Sequence, residues 1–157
     1  MKQEVGGRGH QIAPVLEFMR SLWALDHALQ RASIRMEAVL GLTAPQRFVI
    51  RILGALPRLT PAELAELLHV DRGSVTALLK RLEARGLVAR SPDDQDGRRV
   101  LLSLSPGGRK LDQPARVSVE HAVATVLERT SAADLASVRR VLGRLVAALE
   151  ELAASEA

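Results

Sequence analysis

The stretch LTPAELAELLHVDRGSVTALLKRLEARGLVARSPDDQDGRRVLLSLS, Leu59–Ser105, carries the signals that decide the fold. A capping box begins at Thr60, with proline at the next position and glutamate three residues on, and it predicts a short helix ending near Leu68. Asp71 is the predicted N-cap of a second helix, which stops where Gly86 supplies a left-handed residue. Two short helices joined by a tight turn predict a helix-turn-helix.

A charged hairpin is predicted directly after these helices. Its strands are expected at Leu87–Arg90 and Arg99–Leu104, on either side of a turn rich in aspartate and arginine. Ser105 then predicts the start of another helix, bent at Pro114. Because a helix-turn-helix followed by a two-stranded hairpin is a winged helix, the predicted fold class is mainly α with a small β-hairpin wing.

Three further helices are predicted outside this stretch. Apolar residues recur at helical spacing from Ile12 to Leu40 and indicate one long amphipathic helix. Thr43 begins a second capping box, and Ser131 begins the last helix. The helix after Thr43 is expected to end near Gly54 and to bury Phe48, Val49, Ile52 and Leu53. The apolar face of the last helix contains Leu135, Val138, Leu142, Leu145, Leu149 and Leu152.

The positive charge of the chain is concentrated in one region. The chain has 157 residues and a net charge of +4. The segment from Asp71 to Lys110 holds nine Lys and Arg against five Asp and Glu, while the remainder holds thirteen of each. The whole excess therefore lies in this quarter of the chain, which indicates a polyanionic partner.

Composition excludes several classes of function. The chain contains no cysteine, which removes disulfides, thiolate metal sites and thiol redox sensing. The four histidines lack metal-ligand spacing, and the acidic turn does not match a calcium loop. No phosphate-binding loop or catalytic constellation is present, so we expect no enzyme, no metal and no cofactor. No apolar run could span a membrane and the start MKQEVGGRGHQ lacks a signal sequence, so a basic N-terminal arm and a cytoplasmic protein are expected.

The Leu59–Leu111 region resembles the MarR family of bacterial transcriptional regulators. The most specific element is the wing pattern Asp96-Gly97-Arg98, followed by alternating apolar residues and by LSPGG, in which Ser105 replaces the family's usual threonine. GLTAPQRFVIRIL, residues 41–53, is similar to the family's second helix. The resemblance implies a homodimer with interlocked terminal helices. It also implies one domain with two parts, a winged helix-turn-helix at 43–105 and a helical dimerisation part at 11–40 and 106–153.

The second helix of the helix-turn-helix is the predicted recognition helix. If it buries the apolar positions Val75, Leu78, Leu79 and Leu82, the opposite face enters a major groove. We expect base contacts from Arg72, Ser74 and Thr76, with Ala77 touching a thymine methyl group. Lys80 and Arg81 are expected to hold phosphates. An ordinary solvated basic face is the alternative.

The wing carries the remaining predicted DNA contacts. The resemblance implies that Arg98 projects toward the minor groove, whose negative potential attracts arginine, with Arg99 beside it. Asp96 is expected to pair with an arginine and fix the shape of the tip. An exposed turn without a partner is the alternative interpretation.

A second, weaker candidate site combines an aromatic residue with cations. Trp23, His27 and Arg31 lie four residues apart on the first helix, and Arg47 and Arg51 do so on the second. Relatives in the family bind small aromatic acids between the dimer base and the winged helix, so the resemblance implies a pocket here. A tryptophan in the dimer interface with solvated basic neighbours explains the same stripe, and we favour that explanation.

The sequence thus predicts a homodimeric regulator that binds an inverted repeat in double-stranded DNA. The resemblance implies that it acts as a repressor and that a small ligand releases it. One alternative is a winged helix that binds RNA, single strands or protein. The scarcity of aromatic residues argues against stacked single strands. Another alternative is a ligand-binding helical protein without DNA affinity, which the basic face disfavours.

Overall fold

The computed structural model describes the main chain of residues 9–155 and the side chains of residues 14–155. Of the predicted basic arm, residues 1–8 lie outside the described residues. The helices and strands, in chain order, are α1 (Gly9–Leu40), α2 (Ala44–Ala55), α3 (Pro61–Leu68), α4 (Arg72–Ala84), β1 (Val88–Pro92), β2 (Val100–Leu104), α5 (Pro106–Leu111), α6 (Val119–Leu127) and α7 (Ala132–Ala154). The predicted fold class, mainly helical with a two-stranded hairpin, is confirmed.

Helix starts are fixed by local capping. Complete capping boxes are present at Thr43 and Thr60, where the threonine hydroxyl accepts the N–H of the third helical residue and that residue's side chain accepts the threonine N–H. Asp71, Ser105 and Ser131 cap α4, α5 and α7 in the simpler one-way form. Each cap satisfies an N–H group that has no partner inside its helix, and all five starts agree with the sequence prediction.

The hydrophobic core lies between α2, α3, α4 and the hairpin. Its central side chains are fully or almost fully buried, among them Ile50, Leu64, Leu79, Leu82 and Leu102. The antiparallel hairpin joins this core through Val88 of β1 and through Leu102 and Leu104 of β2, all of which are buried. The winged helix is therefore a packed unit that holds α4 and the wing in fixed places.

The described chain separates into two compact units, one ending at Val119 and the other beginning at Glu120. The first unit contains α1 to α5. Ser33 of α1 accepts the N–H of Ala44 at 2.9 Å, and Met36 is buried, so α1 is tied to the start of α2. The second unit contains most of α6 and all of α7, and none of their described residues is buried in the single chain. The predicted division into a winged helix and a dimerisation part depends on how two chains assemble, so it stays a prediction.

Two predictions about the helices were wrong. The helix expected to bend at Pro114 instead ends at Leu111, and α6 starts afresh at Val119, because proline lacks an N–H and disfavours helical geometry in the residue before it. In α2, Phe48 is exposed and Ile50 is buried. The helix carries two overlapping apolar stripes, and packing selects the one that contains Val49, Ile50 and Leu53.

Candidate nucleic-acid interface

The recognition helix is α4, and its orientation follows from three buried side chains. Val75, Leu79 and Leu82 are fully or almost fully buried, whereas Leu78 is only partly so. These residues are spaced i, i+4 and i+7, so they form one face of the helix. The opposite face is directed toward solvent.

All six predicted contact residues of α4 are exposed. Arg72 lies at the N-terminal end of the helix, and the outward side holds Ser74, Thr76, Ala77, Lys80 and Arg81. Among the described residues, the three cations of this group have no ion pair and no side-chain hydrogen bond to the rest of the chain. Ala77 lies one turn before Lys80 and Arg81, and its small side chain leaves room for close approach. A helix face with unpaired cations around a small residue fits a major groove and its flanking phosphates.

The two hydroxyl groups on this face are already committed as donors. The Ser74 hydroxyl donates to Oδ2 of Asp71 at 2.5 Å, and the Thr76 hydroxyl donates to the carbonyl of Arg72 at 2.7 Å. What they present outward is therefore their acceptor lone pairs. In this arrangement they match base-edge donors, such as the amino groups of adenine and cytosine.

Asp71 holds the start of the recognition helix. Its carboxylate accepts the Ser74 hydroxyl and the Ser74 N–H, and these two hydrogen bonds, the side-chain bond first, lower the pKa of Asp71. A carboxyl group with a lowered folded-state pKa contributes stability above its unfolded pKa, and the contribution is lost as the pH falls through the folded pKa. The cap is therefore fully formed at neutral pH.

The wing tip is shaped by aspartates that bond to the main chain. Asp96 accepts the N–H of Arg98 at 3.1 Å, and its carbonyl accepts the N–H of Arg99 at 2.8 Å. Asp96 was expected to pair with an arginine side chain, but in the described part of the chain its carboxylate has no ion pair. The partner of the carboxylate is the main-chain N–H of Arg98 instead of an arginine side chain. The guanidinium of Arg98 is exposed and unpaired with any described residue.

Arg99, Asp93 and Asp94 of the wing have partners outside the wing. The Arg99 guanidinium lies 3.2 Å from Oε1 of Glu63 at the start of α3. The pKa of Glu63 is lowered by the Thr60 N–H and hydroxyl, and further by the charge of Arg99. Asp93 and Asp94 both lie within ion-pair distance of Arg58.

The residues of the second candidate site fall into two groups. Trp23, His27 and Arg31 are exposed along α1, with Trp23 64 % exposed. The cations of α2 have a different environment. Arg47, only 2 % exposed, donates to the carbonyls of Leu111 and Gln113, and Arg51 donates to both the carbonyl and the carboxylate of Asp112. Arg47 and Arg51 thus hold the segment between α5 and α6.

Residues 40–99 match the model of the MarR family. The chain is 32% identical over 112 residues to the organic hydroperoxide resistance transcriptional regulator of Bacillus subtilis, covering 71% of this chain and 75% of the relative. It is 36% identical over 106 residues to an HTH-type transcriptional repressor of Mycobacterium tuberculosis, covering 68% and 76%. The chain belongs to the MarR family.

A solved structure of a MarR-family regulator on DNA has the same fold. Mutant MarR from Escherichia coli, complexed with operator DNA, superposes with a TM-score of 0.65 at 26% identity, over 84% of this chain and 95% of that one. The resemblance drawn from the wing pattern is confirmed. This MarR-family chain is a DNA-binding transcriptional regulator, and proteins of this family are not enzymes.

Two features important to this MarR-family site were not predicted from the sequence. Arg58, in the loop before α3, and Glu63, assigned only as a capping residue, both contact the wing. The anchoring of Leu111–Gln113 by Arg47 and Arg51 was also missed. These contacts join residues 35 to 66 positions apart, and no local pattern marks them.

Other kinds of site find no support in the described residues. Within residues 14–155, no group of three or more His, Asp or Glu is arranged to hold a metal ion. No helix in the described part of the chain is long and apolar enough to cross a membrane.

Proposed function

We propose that this MarR-family regulator acts in the cytoplasm as a homodimeric repressor that binds an inverted repeat in double-stranded DNA. The observation that carries the proposal is the set of exposed cations on α4, with Lys80 and Arg81 beside Ala77 on the outward face and Arg72 at the N-terminal end, all without protein partners among the described residues. Cations left unpaired in the free protein can neutralise phosphates without first breaking an ion pair. The relative in Mycobacterium tuberculosis, named a repressor, supports the direction of control.

The dimer is supported by apolar surface that the single chain leaves uncovered. Along α7, Val138, Leu142, Leu149 and Leu152 are exposed, the last two at 55 % and 62 %. Large contiguous apolar surfaces of this kind mark interaction sites in soluble proteins. A second copy covers the same face on both chains and presents two recognition helices, which suits half-sites one helical turn apart.

DNA affinity is expected to depend steeply on salt. If two subunits neutralise about 8 phosphates, the slope of log K against log salt is about −7, from about −0.9 per phosphate. Lys80→Ala or Arg81→Ala removes one such contact per subunit and should flatten the slope by about 2 while weakening all sequences alike. Fluorescence anisotropy on a duplex selected from a randomised pool measures this. An affinity independent of salt contradicts the proposed phosphate contacts.

Arg129→Ala is the matched control for charge, because Arg129 is exposed and lies after α6, outside the winged helix. The control should keep the wild-type slope. If it flattens the slope as strongly as Lys80→Ala does, the effect is one of net charge, and the assignment of phosphate contacts to α4 fails.

We further propose that a small aromatic acid, rather than an oxidant, is the signal that releases DNA. The name of the Bacillus subtilis relative refers to organic hydroperoxide, but this chain has no cysteine to oxidise. The candidate ligand site is Trp23 with His27 and Arg31, while Arg47 and Arg51 join it only by exchanging their present partners, which are main-chain carbonyls and the Asp112 carboxylate. Burial of Trp23 in the dimer interface is the competing explanation of the stripe and the one that the sequence favours, so the titration below decides between the two.

Salicylate titration tests the ligand proposal. Binding should quench the fluorescence of Trp23, the single tryptophan, and release the selected duplex over the same concentration range, because a ligand acts only through its different affinity for the two states. His27→Ala with Arg31→Ala should abolish both effects in a dimer that is still folded. Release that survives these substitutions places the ligand elsewhere, and no response overturns the salicylate-like ligand.

A further inference from the structure

The loop before α3 contains a non-glycine residue in left-handed conformation. Arg58 has a φ of 71°, a region that side chains other than glycine seldom occupy and that costs energy. Its main chain pairs with the wing. The Arg58 N–H donates to the carbonyl of Leu102 at 3.1 Å, and the Leu102 N–H donates to the carbonyl of Leu59 at 2.7 Å. The loop thus lies along the free edge of β2.

The side chain of Arg58 reaches the base of the wing tip. Its Nη2 lies 3.6 Å from Oδ1 of Asp93 and 3.7 Å from Oδ2 of Asp94. The Asp93 side chain is only 13 % exposed, and its Oδ1 also accepts the N–H of Gln95 at 3.1 Å. The Asp93 N–H donates to the carbonyl of Arg99 at 2.9 Å, which closes the tip. Arg58 therefore contacts the point where the tip leaves the hairpin.

A third ion pair holds the other side of the tip. Arg99 lies 3.2 Å from Oε1 of Glu63, whose Oε2 accepts the N–H and hydroxyl of Thr60 at 2.7 and 2.8 Å. The carboxylate that caps α3 thus also binds the wing. We call the set Arg58, Glu63, Asp93, Asp94 and Arg99 the wing clamp.

We propose that the wing clamp positions Arg98 for DNA, so that Arg58 and Arg99 act as positioning residues and not as DNA contacts. This inference rests on the proposed DNA-binding function. Exposed ion pairs contribute little to stability, and acids near a duplex lower its electrostatic attraction. The clamp instead fixes both ends of a seven-residue turn, residues 93–99, whose free arginine is Arg98. A contact group held in place before binding loses less entropy when it binds.

The opposing interpretation is that Arg58 contacts a phosphate directly. The two interpretations predict opposite results for Asp93→Asn. Asparagine can still accept the Gln95 N–H but does not attract Arg58, so positioning is lost although the wing becomes more positive. If Arg58 is a phosphate contact, removing the neighbouring negative charge strengthens DNA binding.

The experiment uses the full chain and a duplex selected by the wild-type protein from a randomised pool. Arg58→Gly removes the guanidinium without strain, because glycine accepts a positive φ. It should weaken binding about tenfold. Arg98→Ala should then reduce DNA affinity much less in the Arg58→Gly background than in the wild type, because an Arg98 that is no longer held in position contributes little to binding. Arg58→Lys should restore most of the affinity, and Arg129→Gly, which removes the same charge outside the winged helix, should change little.

Hydrogen exchange of the free protein gives a second readout that needs no DNA. The Asp93 and Arg99 amides should exchange faster in Arg58→Gly than in the wild type, with protection recovered in Arg58→Lys. Unchanged exchange overturns the clamp. Additive losses for Arg58→Gly and Arg98→Ala, together with tighter binding by Asp93→Asn, also overturn it and assign Arg58 to a phosphate. If the wild type selects no duplex, the proposed function fails, and exchange alone decides whether the clamp holds the wing.

Discussion

Leu149→Glu is expected to give a monomer that binds an inverted repeat about 100 to 10,000 times more weakly than the wild type. Leu149 is 55 % exposed in the single chain and lies on the apolar face of α7, one turn from Leu145 and Leu152. In the proposed dimer a carboxylate at this position would be buried without a partner, which costs far more than a buried leucine contributes. Losing one of two linked recognition helices removes the gain in effective concentration that bivalent binding provides.

The control for this prediction is Ala147→Glu. Residue 147 is exposed on the opposite side of α7 from the apolar face, so it introduces the same charge on the same helix without entering the proposed interface. Sedimentation equilibrium should show a dimer for the wild type and Ala147→Glu, and a monomer or unfolded chain for Leu149→Glu. A wild-type protein that is monomeric at micromolar concentration contradicts the homodimer.

Ala77→Glu is expected to abolish specific DNA binding, by about a hundredfold or more, while leaving the fold intact. Ala77 is exposed at the centre of the outward face of α4, between Gly73 and Lys80. A glutamate there places negative charge against base edges and phosphates, and about 1.4 kcal/mol lost in each of two subunits already gives a factor of a hundred. Glutamate is also a good helix former, so the thermal stability should change little.

Ala77→Gln separates size from charge in the same position. Glutamine has nearly the same shape as glutamate, so a loss shared by both variants is steric, and the additional loss in Ala77→Glu is electrostatic. Circular dichroism with thermal melting checks that both remain folded. Wild-type affinity in Ala77→Glu would show that the outward face of α4 does not enter the groove.

What the sequence by itself determined about this protein is local. Capping is decided within four residues, so Thr60, Asp71 and Ser105 marked three helix starts that the structure confirms. The exposure of the predicted recognition face is also a local property. A single apolar stripe in α4 determines which side of the helix packs against the core. The wing pattern was specific enough to identify the family.

Only the tertiary structure decided what depends on residues far apart in the chain. In α2 two apolar stripes compete, and the neighbouring helices and β2 select the one that buries Ile50 and exposes Phe48. The buried guanidinium of Arg47 donates to carbonyls more than sixty residues away in the chain, and Arg58 forms ion pairs with acids of the wing. Charged side chains form such pairs wherever folding brings a partner within reach, and a linear pattern contains no information about which distant partner that is.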